Sequence, residues 1–146
     1  MIAYLDSSVI LRIAQGEARP LLEWSQIEAS ATSALAEVEC ARTLDRLRLL
    51  GAVSDEELGS RRETVSRILA ATDIIELDRV VLGRAAQPFA TRLGTLDAIH
   101  LASALLFREN EAAGLVLATH DTQLATAARA AGLQVIGMAR SRGSGR

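Results

Sequence analysis

The feature that most constrains the fold is an alternation, along the whole chain, of short apolar segments and longer amphipathic segments. The short segments, such as IAYL at residues 2–5 and LVLA at residues 115–118, have the length and composition of buried strands. The longer segments have the spacing of apolar residues that is typical of helices. Because successive parallel strands need helical crossovers, this alternation predicts an α/β fold with helices on both faces of a parallel sheet.

Capping residues, glycines and prolines predict where these elements begin and end. Ser54 and Glu57 have the spacing of a capping box at the start of a helix. Pro20 fits the first turn of another helix, in which Trp24 and Ile27 would face the core. The predicted strands are residues 2–5, 29–33, 73–77, 115–118 and 134–136, and the predicted helices are approximately residues 9–14, 21–28, 34–50, 54–71, 80–93, 96–108 and 121–131.

The length and composition fit one globular domain. The chain has 146 residues, of which 49% are hydrophobic and 23% are charged. We assign residues 1–139 to the domain and expect the Gly-, Ser- and Arg-rich residues 140–146 to form a flexible tail. No apolar segment approaches the roughly 20 residues of a membrane span, and the first residues lack the pattern of a signal peptide. We therefore expect a cytoplasmic protein that does not bind membranes.

Two residue counts exclude several kinds of site. Cys40 is the only cysteine, which excludes an internal disulfide, a zinc ribbon and a thioredoxin-like site, so we expect it to be a small core residue. All sixteen basic residues are arginine, which excludes a P-loop and Schiff-base chemistry because both need a lysine. The formal net charge is -2, so any contact with nucleic acid must come from locally placed arginines.

Acidic residues lie at the positions where this kind of fold binds ligands. Asp6 and Asp121 directly follow predicted strands, Asp97 lies in the first turn of a helix, and Glu37 and Glu39 lie early in the helix after the second strand. Each of them alone is more simply explained as a helix cap or as a partner of the helix dipole. In a doubly wound sheet, however, several of these carboxylates can converge at one edge.

Several carboxylates in one crevice would repel one another, and a divalent cation is the simplest compensation. A set of ligands that are all oxygen atoms selects magnesium or manganese rather than zinc. Such ions can stabilise the attacking and leaving oxygens of a phosphodiester, so the pattern favours nuclease chemistry that needs no lysine.

The acids lie in four segments, which are, in chain order, YLDSS, TSALAEVECAR, GTLDAIHLASA and LATHDTQLATAARAAGL. Together these segments resemble the PIN-domain ribonucleases, specifically the VapC toxins of bacterial and archaeal toxin–antitoxin pairs. The resemblance covers the chain up to the tail, and its most specific parts are LDAIHLASA and the THDxxLxxAA pattern. It implies a three-layer α/β/α sandwich with a central parallel sheet, and homodimerisation. It further implies an endoribonuclease that depends on Mg2+ or Mn2+, leaves a 5′-phosphate and a 3′-hydroxyl, and is neutralised by a VapB-type antitoxin.

The resemblance also implies roles for single residues. Asp6 and Asp97 match the family's principal metal ligands, and Glu39 and Asp121 match the other two acids of the site. Glu39 is preferred to Glu37 because TSALAEVECAR aligns it with the family's acid. Spacing alone leaves that choice open, since the two side chains point roughly 200° apart on a helix. We therefore expect the four matching acids to be catalytic metal ligands and Glu37 to lie on the surface.

Three hydroxyl residues are candidates for supporting roles around the acids. Ser7 and Ser8 could orient Asp6 or cap the helix that follows it, and we favour capping with some contribution to orientation. Thr119 could position a metal-bound water, and a role in the turn after the strand is an equal alternative.

The sequence also leaves the roles of the two histidines open. His100 lies three residues after Asp97, so a metal role is conceivable, but its apolar neighbours favour a packed, hydrogen-bonded histidine. His120 beside Asp121 resembles the HD pair of metal phosphohydrolases, a class that needs more histidines than this sequence contains.

Two kinds of surface residue suggest partners. Arg42 and Arg46 follow Glu39 and are candidates for binding RNA phosphates, with solvated surface as the alternative. Aromatic residues are only 3% of the chain, so RNA recognition would rest on shape and backbone rather than on base stacking. A surplus of apolar residues suggests a dimer face or a groove for an antitoxin helix, with core filling as an equal alternative. These residues are Leu21, Leu22, Trp24, Leu44, Leu47, Leu49 and Leu50.

The expectation is therefore a metal-dependent endoribonuclease toxin, and two alternatives stay open. A metal-dependent phosphatase on a similar sheet would release inorganic phosphate from small esters and would cut no RNA. A non-catalytic PIN-like binding module would keep the acids but bind no metal.

Overall fold

The computed structural model describes residues 1–18 and 20–138, and strands alternate with α-helices over these residues. The strands are β1 (Ile2–Leu5), β2 (Ala29–Ser33), β3 (Asp73–Ile75), β4 (Val116–Ala118) and β5 (Gln134–Ile136). The helices are α1 (Ser7–Ala14), α2 (Ala34–Leu49), α3 (Asp55–Ala70), α4 (Arg79–Ala85), α5 (Thr95–Asn110) and α6 (Thr122–Ala130). The predicted α/β alternation is confirmed.

The five strands form one parallel sheet in the order β3-β2-β1-β4-β5. The chain builds the sheet from β1 to β3 in one direction and then returns to place β4 on the other side of β1. The pairing of β1 with β4 extends from Ala3 opposite Val116 to Leu5 opposite Ala118. Since open α/β sheets bind ligands beyond the carboxyl ends of their strands where the strand order reverses, the ends of β1 and β4 mark the expected site.

The residues of β1 show how the sheet separates two cores. Ala3 and Leu5 are fully buried among residues of α1, α2 and α3, such as Leu44. Tyr4 alternates with them and is fully buried on the opposite face, among residues of α5 and α6 such as Leu101. Helices therefore cover both faces of the sheet, and the molecule is the three-layer α/β/α sandwich that the resemblance implies.

Local hydrogen bonds support the predicted helix starts. The hydroxyl of Ser54 accepts from the backbone N–H of Glu57 at 3.1 Å, and the Glu57 carboxylate accepts from the N–H of Ser54 at 2.8 Å. α3 therefore begins with the predicted capping box. Cys40 is fully buried in the core as expected, and burial raises the pKa of its thiol to about 12.

The predicted helix at residues 21–28 is wrong, because only a short 3-10 turn at Trp24–Gln26 forms there. Leu21 and Ile27 both pack against the core, and on an α-helix these side chains would point about 120° apart, at opposite margins of an apolar face. Trp24 is 40% exposed instead of facing the core. The backbone N–H of Glu28 donates to the carbonyl of Met1 at 2.9 Å, which aligns the end of this segment with the start of β1.

Two other predicted elements are shorter than expected. α4 ends at Ala85 instead of continuing to Leu93. Pro88 explains this, because it lacks an N–H and disfavours helical backbone in the residue before it. The third strand ends at Ile75 instead of residue 77, since its pairing partner β2 ends opposite that residue at Ser33.

Two further expectations concern the end of the chain and membrane-spanning helices. The predicted flexible tail at residues 140–146, and residue 139 at the predicted end of the domain, lie outside the described residues. Among the residues that are described, no helix is long and apolar enough to cross a membrane.

Candidate active site

Asp6 and Asp121 lie side by side in the fold, each at the carboxyl end of one of the two central strands. Both are the N-cap residues of the helices that follow, α1 and α6. One oxygen of Asp121 accepts from the backbone N–H of Leu124 at 2.8 Å, which is the usual contact of a capping aspartate. Asp6 makes no such contact with α1. Its carboxylate is therefore available for other partners, although its backbone occupies a capping position.

The carboxylate of Asp6 is buried and held by neighbouring hydroxyl groups. One oxygen, Oδ2, accepts from the hydroxyl of Ser8 at 2.7 Å and from that of Thr119 at 2.8 Å. Ser7 donates more weakly to Oδ1, at 3.5 Å. The serines thus orient Asp6, and the helix-capping role that the sequence favoured for them is not observed. This arrangement fixes the rotamer of a carboxylate before any ligand binds.

The same hydroxyl groups also accept hydrogen bonds from the loop after β4. The backbone N–H of His120 donates to Ser8 at 3.0 Å, and the N–H of Asp121 donates to Thr119 at 3.0 Å. Ser8 and Thr119 therefore connect the loop of one strand to the acid of the other. Thr119 therefore has the turn role that the sequence allowed and also contacts Asp6, whereas its role in positioning a metal-bound water stays a prediction.

Gly137 closes this part of the site from the side of β5. Its φ is +89°, and a Cβ atom there would lie 2.7 Å from the backbone oxygen of Thr119. Only glycine fits this combination of backbone conformation and close approach. The Gly137 carbonyl accepts from Nδ1 of His120 at 2.6 Å, which orients that imidazole.

Asp97 and Glu39 reach the site from the helices α5 and α2. The pKa of Asp97 is raised to about 6, first by burial and then by the negative charges of Asp121, Asp6 and Glu39, against the opposing effect of His100. Charges shift a pKa only at short range. The structure therefore places the four acids that the sequence singled out close enough to influence one another's charge.

His100 is completely buried and is a direct neighbour of these acids. Its Nε2 atom hydrogen-bonds Oε1 of Glu39 and lies 3.6 Å from Oδ1 of Asp6. Burial lowers the pKa of His100, but the Glu39 hydrogen bond and the charges of Asp6, Glu39 and Asp97 outweigh burial and leave the pKa raised. The sequence interpretation of a packed, hydrogen-bonded histidine agrees with these contacts.

Tyr4 is the residue near the site that sequence reasoning missed. Its hydroxyl is 2.7 Å from Nδ1 of His100, and the two rings meet edge to face. The spacing could have indicated it, because Tyr4 lies two residues before Asp6 in extended backbone, so their side chains share a face of the sheet. Burial raises the pKa of Tyr4 well above its ordinary value, with a further contribution from the charge of Asp6.

Other candidates lie away from this cluster. Glu37 is exposed, as expected. Arg42 is 70% exposed and pairs with Asp45 at 3.0 Å, and Arg46 is exposed and donates weakly to Thr43 at 3.5 Å. The structure therefore gives neither arginine a contact with the four acids.

The surplus apolar residues are of two kinds. Leu21 and Leu44 are buried and Leu47 packs against the core, which is the core-filling alternative. Leu22 and Leu50 are exposed, as are Trp24 and Leu49. A groove of about 480 Å³ lies between α2 and α3. Its lining includes Glu37, Arg42, Leu44, Arg62, Val65, Leu69 and Ile74.

The donor atoms of the cluster suit a divalent cation. Within residues 1–18 and 20–138, no three His, Cys, Asp or Glu side chains are grouped so that they could hold a metal ion as they stand. Glu39 and Asp121 each have one oxygen engaged, by His100 and by the start of α6, and one oxygen left for another partner. Carboxylate oxygens are preferred ligands of magnesium and manganese. A cation would also relieve the repulsion that raises the pKa of Asp97.

Comparison with known sequences identifies relatives over nearly the whole chain. The family described as PIN domain matches residues 3–130. Ribonuclease VapC35 of Mycobacterium tuberculosis (strain CDC 1551 / Oshkosh) is 34% identical over 149 residues, which cover 95% of this chain and 98% of that protein. Ribonuclease VapC46 of Mycobacterium tuberculosis (strain ATCC 25618 / H37Rv) is 32% identical over 136 residues, which cover 91% of this chain and 95% of that protein.

Solved structures share the fold at lower identity. FitAcB from Neisseria gonorrhoeae superimposes with a TM-score of 0.68 and 21% identity, covering 93% of this chain and 96% of that chain. A toxin–antitoxin complex from Klebsiella pneumoniae has a TM-score of 0.63 and 19% identity, covering 92% of this chain and 95% of that chain. VapBC-5 from Mycobacterium tuberculosis has a TM-score of 0.58 and 21% identity, with 92% and 97% covered.

Proposed function

This chain belongs to the PIN-domain family, and on that premise we propose that it is a metal-dependent endoribonuclease that acts as the toxin of a toxin–antitoxin pair. The names of its relatives support the activity, since two proteins that share about a third of its residues over nearly their whole length are called ribonucleases VapC. Its site of action is then the cytoplasm, where the substrate RNA is found.

The observation that supports this function most directly is the convergence of Asp6, Glu39, Asp97 and Asp121 at the reversal of the strand order. Four acids at one point are costly for a metal-free protein, because each raises the free energy of ionising the others. A helix-capping role explains only Asp121. A cation-binding role explains all four.

In this mechanism the four acids would hold Mg2+ or Mn2+, and Asp6 is the ligand whose position is fixed in advance by Ser8 and Thr119. The chemistry that the bound cation supplies is activation of water and neutralisation of charge on the scissile phosphate. Burial and the neighbouring acids raise the pKa of Asp97 to about 6, and a bound cation would favour the ionised form of this carboxyl group. The expected products are a 5′-phosphate and a 3′-hydroxyl.

RNA binding would rest on exposed arginines of α2. Arg42 and Arg46 lie on α2, downstream of Glu39, and their exposed guanidinium groups can reach phosphates after leaving weak surface contacts. Ion pairs at exposed positions contribute at most about 1 kcal/mol, so these contacts do not prevent RNA binding.

The proposed protein partner is a VapB-type antitoxin. Solved structures that share this fold are toxin–antitoxin complexes. The groove between α2 and α3 has apolar side chains on its floor and charged side chains at its rim, a combination that suits an amphipathic helix. Co-expression with the reading frame adjacent to this one tests the pairing, and a toxin that remains active after co-purification would contradict it.

We also propose a homodimer. Leu82 on α4 and Leu96 at the start of α5 are exposed apolar side chains on neighbouring helices. A second copy could cover this surface. Light scattering after gel filtration measures the mass, and a monomer at micromolar concentration would contradict the dimer.

The decisive experiment for the activity is incubation of purified, antitoxin-free protein with total cellular RNA. The lanes contain magnesium, manganese, a chelator, or the Asp97→Asn variant with magnesium. Discrete fragments that need both the cation and Asp97 are the expected result, and the relative activity with the two ions identifies the preferred one.

The two alternative functions give different results in the same assays. Release of phosphate from small esters without RNA cleavage would indicate the phosphatase. Absence of cleavage together with absence of Mn2+ binding at millimolar concentration in calorimetry would indicate the non-catalytic module. Fragments of unchanged yield with Asp97→Asn would contradict the site assignment.

A further inference from the structure

A row of polar side chains runs from the buried residues Tyr4 and His100 to Glu39, and the proposed reaction does not account for its two buried members. Tyr4 on β1 contacts His100 on α5, and His100 contacts Glu39 on α2. The same elements also supply acids, since Asp6 lies two residues after Tyr4 and Asp97 lies three residues before His100. The row therefore connects the elements that supply three of the four acids.

The direction of the hydrogen bonds in this row follows from its chemistry. A carboxylate only accepts, so Nε2 of His100 carries the proton and donates to Glu39. In the neutral imidazole, Nδ1 then accepts from the hydroxyl of Tyr4 at 2.7 Å. The phenol keeps its proton because burial raises its pKa. If the imidazole is protonated, Nδ1 donates to the phenol oxygen instead, and the bond to Glu39 is the same in both states.

Glu39 depends on this contact for its position. Its side chain is 22% exposed and has three rotatable bonds, and its hydrogen bond among the described residues is the one to His100. Asp6, in contrast, is held by three hydroxyl donors. His100 itself is immobile, because it is fully buried and packs edge to face against Tyr4.

We propose that His100, held by Tyr4, is a positioning residue that fixes the carboxylate of Glu39 at a set distance from Asp6. The imidazole lies between the two carboxylates, bonded to Glu39 and 3.6 Å from the Oδ1 atom of Asp6. It thereby holds α2 against the end of β1. The consequence for metal binding and catalysis rests on the proposed function, whereas the contact itself does not.

Two substitutions of His100 by side chains of similar volume distinguish a role in positioning Glu39 from a role in packing the core. His100→Gln keeps a side-chain N–H near the position of Nε2, and His100→Leu fills the same space with apolar atoms only. If His100 served only the core, leucine would be at least as good a replacement as glutamine, because the position is fully buried. If His100 positions Glu39, glutamine must preserve metal binding and cleavage better than leucine does.

Mn2+ binding by calorimetry and RNA cleavage kinetics measure the difference. We expect His100→Leu to weaken Mn2+ binding and lower kcat by about 10- to 100-fold with an unchanged KM for RNA, as for loss of a partner of a metal ligand. His100→Gln should recover most of both values, and Tyr4→Phe should show a few-fold loss. Leucine that equals or exceeds glutamine in both measurements would overturn the proposal.

A third readout needs neither metal nor activity. Only two histidines are present, so 15N-histidine labelling gives a spectrum in which the His100→Gln variant assigns the His100 signals. We expect a downfield Nε2–H proton that is protected from exchange in the native protein and is lost in Glu39→Ala, a change at a partly exposed position that leaves the core intact. A signal that is insensitive to Glu39→Ala would overturn the proposal even in a protein that cuts RNA. A native protein that cuts no RNA but shows the Glu39-dependent signal would refute the ribonuclease and support the positioning contact.

Discussion

The candidate site has two halves that are stabilised in different ways. Asp6 and Asp121, at the ends of β1 and β4, have carboxylates held by neutral donors, namely hydroxyl groups and a backbone N–H. Glu39 and Asp97, on α2 and α5, have surroundings dominated by charge, since Glu39 is bonded to a buried histidine and Asp97 faces three other carboxylates. The strand half (Asp6 and Asp121) has its hydrogen bonds satisfied without a ligand. The helix half (Glu39 and Asp97) retains repulsion between carboxylates that nothing compensates.

This difference indicates that the strand half is a scaffold and that the helix half responds to a ligand. Hydrogen bonds from neutral donors fix geometry at small cost, because both partners are satisfied within the protein. Clustered carboxylates raise the free energy of the folded state until a cation binds. We therefore expect substitutions in the strand half to lower both stability and activity, and substitutions in the helix half to lower activity alone.

The largest expected effects come from removing one acid of each half. Asp6→Ala and Asp97→Ala should each reduce RNA cleavage by more than the roughly 100-fold that loss of an outer partner produces. The free energies of unfolding of the two variants should differ. Asp6→Ala leaves the half-buried hydroxyl of Ser8 and the buried hydroxyl of Thr119 without their acceptor, at a cost of about 1–3 kcal/mol. Asp97→Ala relieves repulsion, which offsets the roughly 0.3–1 kcal/mol that an acid gains in the first turn of a helix.

Thermal and denaturant unfolding in the presence of a chelator measures these stabilities. Equal destabilisation by the two variants would contradict the distinction between the halves. The cleavage assay serves as the control, because both variants must be inactive for the comparison to concern the same site.

A smaller effect is expected from a group that holds the strand half together. Thr119→Val keeps the shape of a fully buried side chain but removes the hydroxyl that donates to Asp6 and accepts from the N–H of Asp121. We expect a loss of about 1–3 kcal/mol in the free energy of unfolding and a fall of about 10- to 100-fold in cleavage. Thr126→Val is the matched control, because Thr126 is exposed on α6 and its hydroxyl bonds only within that helix.

Either outcome of the Thr119 experiment shows how the carboxylate of Asp6 is held in the strand half. Unchanged activity and unchanged stability would mean that Asp6 keeps its position without the hydrogen bond from Thr119. A Thr126→Val variant that loses as much stability as Thr119→Val would show that the effect belongs to the substitution and not to the site.

The strand half is also the part of the molecule that the sequence predicts well. Asp6 and Asp121 follow apolar strands, and a parallel sheet places the ends of its strands at one edge, so their proximity follows from local pattern and general topology. The three-layer fold and the capping box of α3 follow in the same way. The helix at residues 21–28 failed because a local preference cannot reveal which apolar side chains the core will accept.

The helix half depends on tertiary packing that no local pattern contains. The choice between Glu37 and Glu39 came from the resemblance to a family, since spacing leaves both possible. The contact between His100 and Glu39 joins residues 61 positions apart, and the contact between Tyr4 and His100 joins residues 96 positions apart. Such contacts depend on how α2 and α5 pack against β1, which is a property of the assembled sandwich.

The smallest expected effect is a pH dependence that belongs to the helix half alone. The pKa of Asp97 is about 6 in the folded protein, against an ordinary value of 3.8, so between these values the folded protein binds a proton that the unfolded chain does not. Stability from this group is therefore present below pH 3.8 and is lost as the pH rises through 6. The full difference corresponds to roughly 3 kcal/mol at 1.36 kcal/mol per pKa unit. Solvent screening of the partly exposed carboxylate reduces it to about 1 kcal/mol.

Unfolding at pH 5 and pH 8 in a chelator, for the native protein and for Asp97→Asn, isolates this contribution as the difference between the two proteins. The native protein should gain more than the variant when the pH is lowered, because only the native protein has the titrating carboxyl group. The extra gain should be less than half of the full value of about 1 kcal/mol, since pH 5 still lies above the ordinary pKa of 3.8. Equal gains would mean that neither burial nor the neighbouring acids raise the pKa of Asp97 in solution. Saturating magnesium should reverse the sign, since a cation binds the ionised cluster and its stabilisation grows as the proton leaves. The reversal would identify the helix half as the part of the site whose charge a metal ion balances.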